Sequence, residues 1–355
     1  MIRNVVEFGD CRDIMRKWRE DGVRADMCVT SPPYFGLRDY GVDGQLGLEQ
    51  TPEQYVANMV EVFRCVRDVL ADDGTLWLNI GDSYAAQRGG AHQPAETLAG
   101  GRNGKMADGA VVNRDRHAGY NPTRNAAAIG MKHKDLIGIP WMLAFALRAD
   151  GWYLRQDIIW HKPNPMPESV RDRCTKAHEY VFLLSKSERY FYDSEAMKEP
   201  ATSGSAGTVR KDQPRKMNAT PLYQSNRGGR TQEPMKQGAM GIPEDGRRNR
   251  RSVWTVATRP YKGAHFATFP PALIEPCILA GCRSGGIVLD PFMGSGTTAE
   301  VALRLGRGYL GCELNEGYRE LQDKRILGVN AVETKESKPR KVRAKKDCQG
   351  SLFSF

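Results

Sequence analysis

Along most of the chain, segments whose apolar residues have the spacing of a strand alternate with segments whose apolar residues have the spacing of a helix. A period of two predicts a strand over residues 4–8, and an apolar run predicts a buried strand over residues 25–30. Thr51 and Pro52 begin a helix in which apolar residues recur at helical spacing as far as Leu70. Another buried strand follows over residues 75–80. A strand, a helix of this length and a second strand form a βαβ unit, so parallel pairing is expected.

The later part of the chain continues this alternation and predicts an α/β fold. The predicted helices cover residues 137–149 and 273–280, and the predicted strands cover residues 152–160, 179–184, 190–192, 253–256, 286–290 and 307–313. The chain is expected to turn back between the strands at 179–184 and 190–192.

Two long segments show neither period. Residues 85–133 are dominated by Gly, Ala, Asn and Arg, and residues 200–250 by Gly, Ser, Arg, Lys, Gln and Asn. Long structureless loops within compact domains are usually functional or disordered. A segment with the composition of residues 200–250 cannot bury enough apolar surface to fold alone. The Lys/Arg-rich tail beyond Lys335 is expected to be disordered.

Composition narrows the class of protein only slightly. The 355 residues carry a formal net charge of +10, which is compatible with a polyanionic partner. Eight cysteines include no C-x-x-C pair and no zinc spacing, so reduced thiols and no metal site are expected. No apolar run approaches the roughly 20 residues that span a bilayer. The N-terminus lacks a signal-peptide pattern, so a cytoplasmic location is expected.

The strand at residues 25–30 ends in Thr30-Ser31-Pro32-Pro33-Tyr34. Prolines cannot donate ladder hydrogen bonds, so the chain must leave the sheet in a rigid loop. This loop offers a hydroxyl, a carbonyl that no amide claims and a flat aromatic face. Such a set suits an exocyclic amino group on a planar heterocycle. The alternative interpretation is a proline-rich turn with a packed tyrosine.

The strand at residues 286–290 runs into a glycine turn and then a helix. Gly294-Ser295-Gly296 lets the backbone approach a ligand where a Cβ would clash. The next strand ends in Glu313, roughly twenty residues past the turn, which is the spacing at which a Rossmann-like unit holds a ribose. Glu313 is therefore predicted to bind a ribose, and a surface glutamate is the alternative.

Together, the Ser31–Tyr34 loop and the Asp290-Pro-Phe-Met-Gly-Ser-Gly-Thr-Thr298 loop resemble the amino-group DNA methyltransferases that use S-adenosylmethionine. The Ser-Pro-Pro-Tyr form is similar to that of the N4-cytosine branch. The order, catalytic loop first and cofactor loop last, resembles the circularly permuted beta class. The resemblance implies an α/β, Rossmann-like methyltransferase fold with a mostly parallel, doubly wound sheet, an antiparallel terminal strand and polar inserts.

The resemblance also implies roles for individual residues. The catalytic residues would be Ser31, Pro32, Pro33 and Tyr34. The cofactor-binding residues would be Asp10, Thr30, Phe266, Phe269, Asp290, Pro291, Phe292, Gly294, Ser295, Gly296, Thr297 and Glu313. Asp10 has the alternative role of N-cap for the following helix. Phe266 and Phe269 are either aromatic neighbours of the cofactor's sulfonium or ordinary core residues.

Double-stranded DNA is the partner that the resemblance implies. The candidate DNA-binding residues are Arg38, Lys162, Asn164, Arg171, Arg173, Lys176, Arg227 and Arg230. Solvated basic loops are the alternative. We expect residues 1–199 to form the catalytic half, 200–252 a target-recognition insert, 253–330 the cofactor half and 331–355 a basic tail. Residues 85–133 are interpreted as a flap that DNA orders. A cognate restriction endonuclease is a candidate partner of a monomer or homodimer, of bacterial, prophage or phage type.

The expected reaction is direct methyl transfer to N4 of a cytosine flipped out of the duplex. Adenine N6 is the nearest alternative, because serine at position 31 favours cytosine without proving it. A DNA-binding protein without catalysis and an RNA or protein methyltransferase are further alternatives. Methylation at cytosine C5 needs a cysteine nucleophile after a proline. It is disfavoured because Pro276-Cys277 falls within a predicted helix.

Overall fold

The structure, a computed structural model, describes residues 2–86, 126–201, 246–258 and 269–336. The chain divides into two compact units. The larger unit joins Met1–Tyr192 to Ser252–Phe355, and the smaller unit is Asp193–Arg251. Phe266, Arg227, Arg230 and most of both polar segments lie outside the described residues.

The described strands are β1 (Val5–Phe8), β2 (Ala25–Thr30), β3 (Leu70–Ile80), β4 (Tyr153–His161), β5 (His178–Ser185), β6 (Glu199–Pro200), β7 (Arg247–Arg248), β8 (Val253–Thr255), β9 (Ile287–Asp290) and β10 (Gly308–Glu313). The helices are α1 (Cys11–Glu20), α2 (Pro52–Val69), α3 (Ile139–Ala149), α4 (Ser194–Met197), α5 (Pro271–Gly281), α6 (Thr297–Arg304) and α7 (Arg319–Glu336). A short 3-10 turn, Glu316–Tyr318, precedes α7.

The larger unit contains one sheet in the order β1-β10-β9-β2-β3-β5-β4-β8. The first five strands pair in parallel, as expected for βαβ units. β5 runs antiparallel to both β3 and β4, and β8 pairs in parallel with β4. The mostly parallel sheet and its antiparallel strand are confirmed, with β4 and β8 lying beyond β5 on that side. β5 therefore brings its first residues to the edge at which the parallel strands end.

Burial on both faces explains the apolar composition of the central strands. Met27 and Cys28 of β2 and Leu76 and Trp77 of β3 are fully buried. α2 begins as its sequence indicates, with Thr51 Oγ1 accepting from the backbone N of Gln54 at 3.3 Å. These helices and strands make the rigid support on which the loops at the carboxyl edge are held.

Residues 190–192 form no strand, which corrects the sequence prediction. The aromatic run instead packs as coil: the Tyr192 ring stacks on Trp77 at 6.4 Å, and the Arg283 guanidinium lies 4.2 Å from the Phe191 ring centre. The three consecutive aromatic residues are accommodated here by packing on other elements rather than by pairing in a sheet. β3 also begins earlier than expected, directly after α2.

The polar segment at residues 85–133 is anchored at both ends. Ala85 N donates to Asp135 O at 2.9 Å, and Ala126 N donates to Ala86 O at 2.9 Å. Ala126 and Ile129 are buried in the core, so this end of the segment is more ordered than its composition indicates. Residues 87–125, where the flap was expected, lie outside the described residues.

The smaller unit pairs β6 with β7, and Glu199 joins the guanidinium groups of Arg248 and Arg251 at 3.0 and 2.9 Å. The cysteines of the described ranges are all free thiols. None of the described helices has the length and apolar character needed to cross a membrane.

Candidate active site

The strands that carry the two sequence motifs end side by side. β2 and β9 pair in parallel, so both run towards the same edge of the sheet. Thr30 Oγ1 donates to Asp290 Oδ1 at 2.7 Å. Asp290 also accepts from Thr298 Oγ1 at 2.6 Å and from the backbone N of Phe292 at 3.0 Å. The catalytic loop and the glycine loop are thus fastened to each other at their origins.

Asp290 is a fully buried carboxyl group in this junction. Burial raises its pKa to about 6, and the hydrogen bonds from Thr298, Thr30 and Phe292 oppose that rise. A buried carboxylate is costly unless donors surround it, and here three donors do so. The group therefore fixes the geometry of the two loops.

The glycine loop is shaped by two residues with positive φ, Gly294 at 54° and Gly296 at 84°. The Gly294 backbone N donates to Glu313 Oε2 at 2.7 Å, and Asn315 N donates to Glu313 Oε1 at 2.8 Å. Glu313 is largely buried, and burial raises its pKa. The predicted ribose ligand therefore lies directly against the loop that was predicted to bind the cofactor.

Helix α7 holds the other side of this loop. Gln322 Nε2 donates to Gly294 O at 2.7 Å, and an added Cβ on Gly296 would lie 3.4 Å from Gln322. Arg325 contacts Thr297 Oγ1, donates to Ser295 Oγ at 3.0 Å and pairs with Glu300 at 3.0 Å. Gln322 and Arg325 were not among the residues predicted from the sequence. The signal available in the sequence was their spacing of three, which puts both side chains on one face of α7.

Four further predicted cofactor residues follow β9 or precede α5. Pro291 and Thr297 are buried, while Phe292 and Phe269 are half-buried. Phe269 stands just before α5, and Phe292 packs against the core.

Asp10 is the N-cap of α1. Its Oδ1 accepts from the backbone N of Arg12 at 2.8 Å, and its Oδ2 pairs with Arg12 Nη2 at 2.5 Å. The hydrogen bond with the Arg12 guanidinium is the main reason that the pKa of Asp10 is lowered. The capping role is thus present, and Gly9 N bonded to Glu313 O at 2.8 Å keeps Asp10 close to the predicted cofactor site.

The catalytic loop follows β2 as a turn that is held by a hydrogen bond from Tyr55. Pro32 is buried, and Ser31 and Tyr34 are half-buried. Tyr55 Oη donates to the Pro33 carbonyl at 2.9 Å, whereas no hydrogen bond within the described part of the chain reaches the Pro32 carbonyl. Ser31 Oγ lies 3.3 Å from Tyr34 Oη. The Ser31 hydroxyl and the Pro32 carbonyl, which the sequence predicts as acceptors, thus lie on one turn directly after β2.

The Tyr34 hydroxyl belongs to a polar network. It donates to Glu179 Oε2 at 2.8 Å and lies 3.4 Å from Asn79 Oδ1. Glu179 Oε1 forms an ion pair with Lys162. Burial and the Glu179 charge raise the pKa of Tyr34 well above its ordinary value. Asn79 and Glu179 were missed from the sequence, although Asn79 is a polar residue in an apolar strand.

The candidate DNA-binding residues vary in their surroundings. Arg171 is exposed. Arg173 pairs with Glu168 at 2.5 Å and covers the Tyr84 ring at 3.9 Å. Asn164 Nδ2 donates to Thr258 O at 3.1 Å.

Two further candidates are half-buried. Burial lowers the pKa of Lys176, and the charge of Arg38 acts on Tyr318, whose pKa burial raises to about 12.

Comparison with known proteins identifies the family of the chain. The N6/N4 methyltransferase family model, described as DNA methylase, matches residues 25–324. The chain is 46% identical over 319 residues to the type II methyltransferase M.SmaI of Serratia marcescens, covering 90% of this chain and 89% of that protein. It is 43% identical to the type II methyltransferase M.Cfr9I of Citrobacter freundii, covering 90% and 86%.

Solved structures share the fold. The PvuII DNA methyltransferase, titled cytosine-N4-specific, aligns with a TM-score of 0.54 at 14% identity over 94% of this chain and 93% of that one. A putative DNA modification methylase of Thermus thermophilus, complexed with S-adenosyl-L-methionine, aligns with a TM-score of 0.51 at 20% identity over 92% and 94%. At these identities the likeness describes the fold.

Proposed function

The chain belongs to the DNA methylase family of N6/N4 methyltransferases, and from this premise we propose that it methylates the exocyclic N4 of a flipped cytosine in double-stranded DNA. It is a type II DNA methyltransferase, and its methyl donor is S-adenosyl-L-methionine. The observation that carries the proposal is the Thr30–Asp290 hydrogen bond, because it fastens the predicted catalytic loop to the predicted cofactor loop at one edge. Serine at position 31 supports cytosine as the target.

The residues present fit the cofactor. An added Cβ on Gly294 would meet nothing closer than Phe292 O at 3.9 Å, so the backbone faces open space there. The Glu313 carboxylate, already fixed by two backbone donors, has acceptor capacity left for ribose hydroxyls. Asp10 would contact the adenine and Phe269 the sulfonium. When bound, S-adenosyl-L-methionine supplies an electrophilic methyl group.

The catalytic loop prepares the nucleophile. The amino lone pair of cytosine is delocalised into the ring, so the free amine is a weak nucleophile. Ser31 Oγ and the Pro32 carbonyl would accept the two amino hydrogens and so favour a pyramidal nitrogen with a localised lone pair. The Tyr34 ring would hold the base by stacking. Positioning then contributes most of the rate, because no covalent intermediate is needed.

Cytosine C5 chemistry needs a cysteine nucleophile after a proline, and the Pro276-Cys277 pair is unsuited to that role. Cys277, the cysteine that follows Pro276, lies inside α5 and is 1% exposed. Its Sγ hydrogen bonds to Leu273 O at 3.5 Å. A thiol in this position cannot reach a flipped base.

Nucleoside analysis tests the proposal directly. DNA methylated by the purified protein is digested to nucleosides and examined by mass spectrometry. We expect N4-methylcytosine; N6-methyladenine in its place would overturn the target base, and unmodified DNA would overturn the activity. The Ser31→Ala variant should lose most of the activity, whereas Ser169→Ala, at an exposed serine, should retain it.

The DNA-binding surface and the biological partner are also part of the proposal. Arg171, Arg173 and Lys176 would contact phosphates, and residues 200–252 would recognise the target sequence. The relatives are type II methyltransferases, so a cognate restriction endonuclease is the partner that we propose. Sequencing that detects modified bases in DNA from expressing cells would identify the recognition site.

A further inference from the structure

We propose that Glu179, with Lys162 as its counter-ion, is the positioning residue that fixes the Tyr34 ring in the target-base pocket. This inference rests on the proposed function, in which Tyr34 stacks on the flipped base. It also gives Lys162 a role different from a phosphate contact.

The hydrogen bonds of Glu179 are directed at the far end of the Tyr34 ring. Glu179 Oε2 accepts from Tyr34 Oη at 2.8 Å and from Asn79 Nδ2 at 3.3 Å. The amide of Asn79 also donates to the Tyr180 carbonyl at 3.1 Å, which fixes its orientation. The tyrosine hydroxyl is therefore held by a carboxylate whose own position is fixed by a neighbouring strand.

Lys162 neutralises this carboxylate. Its ammonium group contacts Glu179 Oε1 and lies 4.3 Å from the Trp160 ring centre. The side chains of Lys162 and Glu179 are only 19% and 16% exposed. Removing one partner of a buried ion pair leaves the other charge uncompensated. Lys162 is thus engaged within the protein, while Arg171, in the loop that follows, is exposed.

The sheet makes the arrangement rigid. In the ladder between β4 and β5, Trp160 stands opposite Glu179, and in the ladder between β3 and β5, Asn79 stands opposite Val181. Gly81 closes the other side, because an added Cβ there would lie 2.8 Å from Tyr34 Cε2 and 3.3 Å from Glu179 Cδ. The ring is held before any base arrives, so the base alone loses freedom on binding.

A double-mutant cycle tests whether Glu179 acts through the Tyr34 hydroxyl. Glu179→Ala should slow single-turnover methyl transfer roughly tenfold to hundredfold, as expected for the loss of a hydrogen bond to a charged group. In a Tyr34→Phe background, the same change should have less than about a twofold effect, because the hydroxyl is already absent. Equal losses in both backgrounds would overturn the proposal. Glu179→Gln keeps an acceptor and should restore most of the rate.

The salt dependence of DNA binding separates the two roles of Lys162. Lys162→Met should lower the rate of methyl transfer. It should leave unchanged the slope of the logarithm of the DNA-binding constant against the logarithm of the salt concentration. Arg171→Ala, at an exposed residue, should reduce the magnitude of that slope by about one. If Lys162→Met reduces the slope and spares the transfer rate, Lys162 is a phosphate ligand and the inference is wrong.

A measurement without DNA keeps this inference distinct from the proposed function. In protein labelled with 3-fluorotyrosine, the ¹⁹F resonance of Tyr34 is assigned by its loss in Tyr34→Phe. It should shift and broaden in Glu179→Ala, and stay unchanged in Glu188→Ala, which alters an exposed glutamate of the loop after β5. A Tyr34 signal indifferent to Glu179 would overturn the positioning role. If the signal responds but DNA stays unmodified, only the proposed function fails.

Discussion

Thr30 and Asp290 are 260 positions apart in the chain, and their side chains form a 2.7 Å hydrogen bond. Each is the last residue of its strand, β2 and β9, and the two strands are neighbours. The residue after Thr30 is the proposed acceptor of an amino hydrogen, and the loop after Asp290 is the proposed cofactor loop. One buried carboxyl group therefore sets the distance between the two halves of the site.

The buried carboxyl group should make stability depend on pH. The pKa of Asp290 is about 6 in the folded protein, against 3.8 as the ordinary value. Because the pKa is higher in the folded protein, the contribution of Asp290 to the free energy of unfolding is fully present below about pH 4. That contribution is lost as pH rises through about 6. Between pH 5 and pH 8 the loss amounts to roughly 1 kcal/mol of unfolding free energy.

Urea unfolding at those two pH values checks this expectation. Asp290→Asn should remove that part of the pH dependence, although the variant is less stable at both values. Asp43→Asn, at an exposed aspartate, should keep the wild-type profile. An Asp290→Asn profile parallel to the wild type would contradict the raised pKa.

Gln322 should strengthen cofactor binding although it lies on α7, outside the predicted cofactor loop. Its amide donates to the Gly294 carbonyl at 2.7 Å, and its side chain is 2% exposed. Gln322→Ala removes this support from the loop, and we expect the dissociation constant for S-adenosyl-L-methionine to rise roughly fivefold to tenfold. Calorimetric titration measures it. Lys324→Ala, at an exposed position of the same helix, is the control and should bind as the wild type does.

Glu313 should be the strongest single determinant of cofactor affinity. Glu313→Gln keeps one acceptor for the Gly294 amide but removes the charge from the predicted ribose site. Hydrogen bonds to charged groups are worth about 1.5–3 kcal/mol, so affinity should fall roughly tenfold to hundredfold. The same titration measures it, with the exposed Glu316→Gln as control. Unchanged affinity would place the ribose elsewhere.

Gly81 should be intolerant of a side chain for a functional reason. A Cβ at this position would lie 2.8 Å from Tyr34 Cε2, so Gly81→Ala must displace the ring. We expect a loss of methyl transfer of at least about tenfold, and destabilisation of roughly 1–3 kcal/mol from overpacking. Single-turnover rates and urea unfolding measure the two effects. Gly328→Ala, in α7 with nothing within 4 Å, should retain activity. Full activity in Gly81→Ala would show that the ring can move without cost.

The meeting of the two loops was predictable because parallel strands end at a common edge. Thr30 and Asp290 could be placed there from the apolar runs that precede them. Glu179 could not, because a strand pattern does not reveal direction. β5 is the one strand of this sheet, among the described residues, that runs against its neighbours. Its first residues, rather than its last, therefore reach the site.

The supporting residues on α7 were hidden for a different reason. The hydrophobic pattern identifies buried faces by apolar residues, but Gln322 and Arg325 are polar and mostly buried at 2% and 7% exposure. They are stable there because loop carbonyls, hydroxyls and Glu300 satisfy them. Residues 190–192 misled in the opposite direction, because this run of three aromatics forms coil in which Tyr192 stacks on Trp77.

Ala86 and Ala126 are hydrogen-bonded to each other, N to O, at 2.9 Å. Any stretch of chain between them starts and finishes at one point beside the carboxyl edge. Lengthening a loop whose two ends are held together lowers the free energy of unfolding by only about 0.6 kcal/mol for each doubling of the loop length. Insertions and deletions can therefore accumulate between these two alanines, or be engineered there, without altering the register of a single strand.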